Sequence, residues 1–201
     1  MRQSNFMQHE FIIEGFAYRL RPIGDNDAEF IIKLRSHDEL NRFLHTTSPS
    51  LANQLDWLAQ YYVRPGDWYF VIESRSDGTA EGLVSVYDLD AQHRRAEWGR
   101  WILRKGSLAA VESAWLIYRC AFEQLSLHEV FCRTLADNAS VVSFHDSCGI
   151  IERSLLLNHF NLNGSKLDAV EHRVNKATWE ALASRLEHLA QRMARRLQRD
   201  S

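Results

Sequence analysis

The stretch WGRWILRKGSLAAVESAW, residues 98–115, constrains the fold more than any other part of the chain. Its first half has the large aromatic and aliphatic side chains of a strand, and its second half has the alanine-rich spacing of a helix. The change takes place within residues 104–107, which include a glycine and a serine. A strand that turns this sharply into a helix directs several backbone N–H groups to one point. Such groups bind phosphate, so the stretch predicts an anion site at a strand–helix junction.

Apolar patterning predicts the remaining elements on both sides of this junction. Strands are expected at residues 17–23, 68–72, 82–87, 96–103, 130–134, 155–160 and 169–174. Helices are expected after the cap residues 25–27, through 55–62, and over about 107–125, 138–147 and 177–201. Antiparallel strands come first and a strand–helix–strand–helix unit follows. This order predicts an α+β (mixed α/β) fold, with a mostly antiparallel sheet and helices on both faces.

The bulk properties are those of an ordinary globular domain. The chain has 201 residues, of which 45% are hydrophobic and 25% are charged. These values fit a single domain over residues 17–176, with an N-terminal extension (1–16) and a C-terminal amphipathic helix (177–201). The formal net charge of -2 gives no field that would hold nucleic acid or an anionic membrane. We therefore expect neither nucleic acid nor a membrane as a partner.

The cysteines and the start of the chain indicate the compartment. Cys120, Cys132 and Cys148 form an odd set without C-x-x-C spacing, so they predict neither a disulfide framework nor a metal site. The first residues lack the continuous apolar run of a signal peptide, and no apolar stretch approaches membrane-spanning length. These features favour a cytoplasmic protein.

The C-terminal tail allows two interpretations. Leucines and a methionine recur at helical spacing between residues 182 and 197, with arginines around them. A terminal helix that packs on its own domain, or on a second copy in a homodimer, is the favoured interpretation. The alternative is a basic helix that binds nucleic acid or a membrane, but short arginine-rich helices are often solvated faces.

Several motifs together carry a resemblance to a known family. The opening YRLRPIGDNDAEFIIKLR, the strand AEWGRWIL and the stretch LADNASVVSFHDSCGI occur in this order between residues 17 and 176. In order and spacing they resemble the GNAT superfamily of acetyl-coenzyme A-dependent N-acetyltransferases. Within it, LRSHDELNRFLHTTSP and AEWG are similar to bacterial enzymes that acetylate nucleotide-linked amino sugars, such as those of the pseudaminic acid pathway. The resemblance implies the GNAT fold, acetyl-CoA as donor and a small-molecule amine, with an amino sugar nucleotide favoured, as acceptor.

The resemblance gives the strand–helix junction a function. GNAT proteins hold the coenzyme A diphosphate on a loop written Q/R-x-x-G-x-G/A, where backbone donors and a helix N-terminus neutralise the anion. Here Arg104 stands at the first position, and Ser107 and Ala109 stand at the two glycine positions, with Lys105, Gly106 and Leu108 between them. The other register, with Gly106 as the first glycine, fits less well because it puts Leu103 and Leu108 at motif positions. The family also implies that Trp101, Ile102 and Leu103 offer backbone groups to the pantetheine arm.

Glu97 is the candidate general base. The acceptor amine must lose a proton before it attacks a thioester, and many family members carry a carboxylate at the position of Glu97 in AEWG. Apolar neighbours would desolvate this carboxylate and raise its pKa. The alternative is an outward-facing strand charge that pairs with Arg94, Arg95 or Arg100.

His145 is the candidate proton donor to the leaving thiolate. The family commonly uses a tyrosine on this helix, and counting from the motif residue Asn138 places His145 at that position. A histidine donates a proton near neutral pH, although a structural histidine is the alternative. Asn138 itself is expected to cap the helix and to contact the coenzyme.

The acceptor site is expected near the first helices and the strand at Tyr87. Arginine suits phosphate, so the segment LRSHDELNRF could bind a nucleotide or sugar hydroxyls. The candidate residues, which could equally be solvated, are Arg35, His37, Asn41, His45, Thr46 and Tyr87. The opening motif is also similar to acetyltransferases of ribosomal-protein N-termini. Loss of the usual tyrosine leaves a third possibility, a catalytically idle domain that binds acyl-CoA.

Overall fold

One eight-stranded sheet organises the protein. The computed structural model describes residues 7–36, 49–162 and 164–200. The strands are β1 (Ile13–Glu14), β2 (Tyr18–Pro22), β3 (Trp68–Ser74), β4 (Ala80–Asp90), β5 (Arg95–Leu103), β6 (Glu129–Leu135), β7 (Arg153–Leu162) and β8 (Ser165–Asn175). They lie in the order β1-β2-β3-β4-β5-β6-β8-β7. Neighbouring strands are antiparallel except β5 and β6, which run parallel.

Helices cover both faces of this sheet. They are α1 (Ala28–Arg35), preceded by a 3-10 turn (Asp25–Asp27), α2 (Leu51–Tyr61), α3 (Ala110–Arg119), α4 (Ala139–Cys148) and α5 (Lys176–Asp200). A π-helical turn (Cys120–Gln124) continues α3. Leu34 of α1 and Leu58 of α2 pack against Val71 and Leu83 on one face. The α+β fold with a mostly antiparallel sheet and helices on both faces is thus confirmed.

The opposite face holds the larger core, beneath α3 and α5. Leu116 of α3 and Leu186 of α5 are fully buried with Phe70, Val84 and Trp98 of the central strands. These strand residues alternate with side chains that point to the α1–α2 face, as the pleat of a strand requires. Each large apolar side chain buried in this way stabilises the fold by about 1.5–3 kcal/mol. The C-terminal helix therefore packs on its own domain.

The element boundaries differ from the sequence expectations in a few places. The short strand β1 was not predicted, because two residues carry too little alternation to be recognised. Strands β7 and β8 extend well beyond their apolar residues, since their hairpin pairs as far as Leu162 and Ser165. The helix expected over about 107–125 begins later, at Ala110. Among the described residues, no helix combines the length and the apolarity needed to cross a membrane.

Candidate active site

The site is organised by a split in the middle of the sheet. Pairing between β5 and β6 involves only residues 95–97 and 129–131, although both strands continue beyond that point. Strand β5 stays paired with β4 as far as Leu103. The two parallel strands therefore part after Glu97 and leave an edge of β5 with backbone groups that β6 does not use.

A bulge in β5 lies next to the split. Ser85 pairs with Gly99 and Leu83 pairs with Ile102, so two residues of β5, at 100 and 101, oppose one residue of β4. Arg100 sits in this bulge with φ 48°, a left-handed conformation that is rare for an arginine. The extra residue in the bulge shifts the alternation of side chains between the two faces of the sheet. As a result, Trp101 points to the α3 face.

Backbone alternation decides which groups of β5 face the split. The Arg104 N–H donates to the Glu81 carbonyl oxygen at 2.9 Å. Main-chain groups in an antiparallel ladder point alternately to either side, so those of Ile102 face β4 and those of Leu103 face the split. Among the residues expected to contact the pantetheine arm, Leu103 has main-chain groups that face the split and fit this role. The main-chain groups of Ile102 instead face β4 within the sheet. Trp101 lies in the bulge, outside the β4 pairing.

The junction at residues 104–109 forms a tight turn before α3. The Ser107 N–H donates to the Arg104 carbonyl oxygen at 3.1 Å, and Gly106 has φ 82°. Apart from the neighbours of Gly106 in the chain, none of the described residues has an atom within 4 Å of the position that a Cβ on Gly106 would take. Ala109 is fully buried and precedes the first helical turn, whose N–H groups have no acceptor within the helix. These first-turn donors fit an anion better than the Ser107 N–H, which is already bonded in the turn.

The charged residues of the junction are partly engaged within the protein. Arg104, at the first position of the motif, forms an ion pair with the buried carboxylate of Glu81. Lys105 and Leu108 are exposed at the turn. The electrostatic attraction of this junction for an anion therefore comes from the helix N-terminus more than from Arg104.

Aromatic rings form the wall of the split on the α3 side. The indole N–H of Trp101 donates to Oγ of Ser113 on α3 at 3.1 Å. The Trp101 ring lies 4.9 Å from the ring of Phe144 on α4. Trp101 therefore bridges the two helices on either side of the split, and this packing holds α4 next to β5.

Glu97 lies on the α1–α2 face and is 7% exposed. Burial raises the pKa of its carboxyl group, and the positive charge of Arg133 opposes this effect. Oε1 accepts a hydrogen bond from the Tyr87 hydroxyl at 3.0 Å, and Oε2 accepts one from Nη1 of Arg133 at 3.1 Å. The carboxylate is thus oriented at both oxygens while its proton affinity remains elevated, which suits a general base.

The arginine that pairs with Glu97 is not one of those that the sequence suggested. Arg95 forms its ion pair with Asp90, and Arg100 forms one with Asp67. Arg94 donates to the carbonyl oxygen of Ser126. The partner is instead Arg133 on the parallel strand β6, which is distant in sequence but adjacent in the sheet.

His145 faces the split from α4 and is only 2% exposed. Its ring packs edge-on against Trp98, with ring centroids 5.4 Å apart, and its Nε2 lies 3.6 Å from Sγ of Cys132. Burial lowers the pKa of the imidazole to about 3, with a smaller contribution from His172. His145 is therefore neutral near pH 7 and has a neutral N–H to donate, not an imidazolium proton as the sequence interpretation assumed.

Asn138 stands at the N-cap position of α4, but its side chain does not cap the helix. Its Oδ1 accepts a hydrogen bond from the Ser140 hydroxyl at 2.9 Å. The backbone carbonyl of Asn138 instead accepts the N–H groups of Val141 and Val142 at 3.1 Å. The expected side-chain cap is wrong, because the competing bond to Ser140 occupies the amide oxygen.

The acceptor side of the site is rich in arginine and tyrosine. The Arg100 guanidinium lies 4.3 Å from the Tyr87 ring centroid and 5.6 Å from that of Tyr69. Burial raises the pKa of the Tyr69 hydroxyl, and the charges of Arg35 and Arg100 oppose this effect. Arg35 and Tyr87 therefore lie near the same two side chains, Tyr69 and Arg100. The other expected acceptor residues, His37, Asn41, His45 and Thr46, lie outside the described residues.

Sequence reasoning missed three residues of this site, Asp67, Arg133 and Glu171, and named Arg100 only as a partner of Glu97. All four form the ion pairs around Tyr87 and Glu97. Successive side chains of a strand point to opposite faces of the sheet, so Arg133 and its neighbour Cys132 lie on different faces. Once the strand order is known, this alternation places Arg133 on the same face as Glu97. No local pattern reveals the strand order, so these contacts could not be read from spacing alone.

Comparison with known proteins gives the family. The model of the acetyltransferase (GNAT) domain matches residues 18–151, which is well over half of the chain. The "Putative ribosomal N-acetyltransferase YdaF" of Bacillus subtilis is 27% identical over 178 residues, covering 80% of this chain and 92% of that protein. A spermidine N(1)-acetyltransferase of Vibrio cholerae is 24% identical and covers 74% of this chain and 87% of that protein.

Solved structures agree in fold. One titled "Apo FdhC- a nucleotide-linked sugar GNAT" superposes with a TM-score of 0.72 at 27% identity, covering 86% of this chain and 94% of that one. The split sheet, the strand–helix junction and the matched domain model agree with one another. The chain belongs to the acetyltransferase (GNAT) domain family and is an acetyl-CoA-dependent N-acetyltransferase.

Proposed function

We propose that the protein acetylates the amino group of a nucleotide-linked amino sugar, by direct transfer within a ternary complex. The observation that carries this proposal is the arginine cluster beside Glu97. Arg64 and Arg100 both pair with Asp67, at 3.4 and 2.7 Å, so two guanidiniums share one buried carboxylate. Sharing leaves part of their positive charge available to an anionic group such as a nucleotide diphosphate.

The residues at the split fit acetyl-CoA, which supplies an activated acetyl thioester when bound. The first-turn N–H groups of α3 and Lys105 would hold the diphosphate, and Leu103 would bond to the pantetheine arm through its main chain. The open space beside Gly106 leaves room for a ligand to approach the backbone closely. Asn138 is a further coenzyme contact in this proposal.

Glu97 and His145 carry out the proton transfers in this proposal. Glu97 accepts a proton from the acceptor ammonium and so provides a neutral nucleophilic amine. Tyr87 and Arg133 hold the carboxylate in place for this step. His145 directs its neutral N–H toward the leaving sulfur and stabilises the charge that develops there.

The charges near Glu97 argue against a polyamine as acceptor. A polyamine carries several positive charges and requires carboxylates that are not already neutralised. Here Asp67 is engaged by Arg64 and Arg100, and Glu97 and Glu171 both bind Arg133. The partly exposed ring of Tyr87 beside Arg100 instead suits a flat, anionic ligand.

A second acceptor, the N-terminal amine of a protein, has support from one comparison. The Bacillus subtilis relative, whose name refers to ribosomal N-acetylation, aligns over nearly its whole length. A peptide acceptor needs an open groove next to Glu97. On the α1–α2 face of β6 and β8, the side chains of Arg133 and Arg173 are only partly buried, and a peptide would lie against this part of the sheet.

One screen separates these acceptors. Thiol release from acetyl-CoA is measured with UDP- and dTDP-linked amino sugars, with short peptides and with spermidine. We expect release with the nucleotide sugars, and Arg100→Met should raise their KM about tenfold or more while a free amino sugar is affected less. Arg119→Met, at a surface ion pair on α3, is the matched control. Release with peptides alone would support the second acceptor, and release with spermidine alone would contradict both.

A further inference from the structure

A row of alternating charges crosses the sheet beside Glu97. Arg133 on β6 binds Oε2 of Glu97 through Nη1 at 3.1 Å and Oε2 of Glu171 through Nε at 2.9 Å. Glu171 on β8 also binds Arg173, whose guanidinium lies 3.7 Å from Glu129. The guanidinium of Arg133 therefore lies between two carboxylates, those of Glu97 and Glu171. Of these two, Glu97 is the one next to the split.

The two carboxylates do not share the guanidinium equally. Glu171 is 5% exposed and is bound by two arginines, whereas Arg133 is the one arginine of the described residues that pairs with Glu97. The double pairing lowers the pKa of Glu171 in spite of its burial, whereas burial raises the pKa of Glu97. Two glutamates on the strands that flank β6 thus have pKa shifts of opposite direction, because burial dominates at Glu97 and two arginines outweigh burial at Glu171.

We propose that Glu171 is a positioning residue that holds Arg133 midway between two carboxylates, so that Glu97 stays oriented by Arg133 without being fully neutralised. Without Glu171, Arg133 would be free to form a two-pronged pair with Glu97, which would then bind a proton poorly. Without Arg133, Glu97 would lose its orientation and gain proton affinity. The inference rests on the proposed role of Glu97 as base.

The other groups near Glu97 act on it from β4 or remain uncharged. Tyr87 donates a hydrogen bond from β4 and favours the ionised form, and Asp88 on the same strand opposes it by charge. The Cys132 thiol on β6 remains protonated because burial raises its pKa. Only Arg133 and Glu171 therefore exert opposite influences on Glu97 from the side of β6 and β8.

The pH profile of kcat/KM for acetyl transfer tests the proposal, because the two substitutions should shift it in opposite directions. Glu171→Gln removes a competing carboxylate, so the acidic limb should move about half a pH unit or more to lower pH. Arg133→Met removes the neutralising charge, so the limb should move about one unit to higher pH. Glu123→Gln, which removes a carboxylate from a surface ion pair on α3, should leave the limb in place.

Shifts in the same direction for both substitutions, or no shift, would overturn the proposal. Where a variant is too weakly active, the carboxyl carbon of Glu97 is followed by NMR during a pH titration, and its signal is assigned by its loss in Glu97→Gln. The same opposite displacements of the titration midpoint are expected, and equal midpoints would overturn the proposal. If the wild-type protein releases no thiol from acetyl-CoA with any acceptor, the proposed function itself is contradicted.

Discussion

The Tyr87 hydroxyl donates a 3.0 Å hydrogen bond to Oε1 of Glu97 across the β4–β5 pair. Arg133 donates to the other oxygen from β6, so three adjacent strands determine the position of one carboxylate. The carboxylate lies where β5 and β6 separate. An elevated proton affinity and a fixed orientation at the split are the properties required of a base that prepares an amine for attack.

Glu97→Gln should lower kcat/KM about 100-fold or more, because the amide cannot accept the proton of the ammonium group. The acidic limb of the pH profile should disappear with it. Tyr87→Phe is the comparison, since it removes a hydrogen bond that favours the ionised carboxylate and should move that limb to higher pH. Steady-state rates between pH 5 and 9 check both, and an unchanged profile in Glu97→Gln would rule out this base.

His145→Phe should lower kcat about 100-fold, because the N–H directed at the leaving sulfur is lost. A pKa of about 3 also means that no ionisation of His145 contributes to the kcat profile between pH 5 and 9. His159→Phe, at an exposed position on β7, is the matched control and should retain full kcat. If His145→Phe also kept full kcat, His145 would have only a structural role.

Buried His145 should make the fold sensitive to acid. Its pKa is lower in the folded chain than in the unfolded chain, so folding is favoured fully above about pH 6.5. This contribution is lost as the pH falls from that value toward about 3. Urea unfolding at pH 7 and pH 5 should show a smaller loss of stability in His145→Phe than in the wild type. Equal losses would mean that His145 titrates normally in the folded protein.

Glu112 should be important for stability through its hydrogen bonds more than through its charge. Its Oε1 accepts the N–H groups of Phe16, Ala17 and Tyr18, and burial raises its pKa. Glu112→Ala should therefore cost about 3 kcal/mol of unfolding free energy, because buried donors are left unpaired.

Glu112→Gln keeps an acceptor and should cost much less. A carboxyl group with a raised pKa in the folded state makes folding less favourable as the pH rises from the unfolded value through the folded one. The wild type should therefore lose stability relative to Glu112→Gln between pH 4.5 and pH 8. Chemical denaturation at these two pH values measures the difference, and the opposite order of stabilities would contradict it.

Lys105→Glu should weaken acetyl-CoA binding, because it puts a negative charge beside the diphosphate site. We expect a Kd about tenfold higher at low salt and a smaller effect at high salt, since exposed charges are screened. Lys33→Glu, exposed on α1, makes the same change of charge away from the split. Calorimetric titration checks both variants, and equal Kd values for the two would show that the diphosphate binds elsewhere.

Much of the fold follows from local patterns in the sequence. The aromatic run at residues 98–103 and the alanine-rich run that follows it specify a strand and a helix by different periodicities, and both form. The hairpin between β3 and β4 follows from alternation around Gly78. The C-terminal helix follows from leucines at helical spacing, of which Leu186 is fully buried.

The details of the site depend on contacts between distant residues. Arg133 pairs with Glu97 only because two parallel strands meet, and no spacing in the sequence indicates that neighbour. The bulge at Arg100 and the neutral state of His145 likewise result from packing in three dimensions. The sequence predicts that residues 104–109 bind an anionic ligand. At this junction the structure has a helix N-terminus and an open turn.

A crystal structure with acetyl-CoA bound tests the central claim most directly. We predict that the diphosphate oxygens lie within hydrogen-bond distance of the main-chain N–H groups at the start of α3, and that the thioester lies in the split between β5 and β6 near Glu97. A diphosphate bound away from residues 104–112, or a thioester outside the split between β5 and β6, would contradict the account.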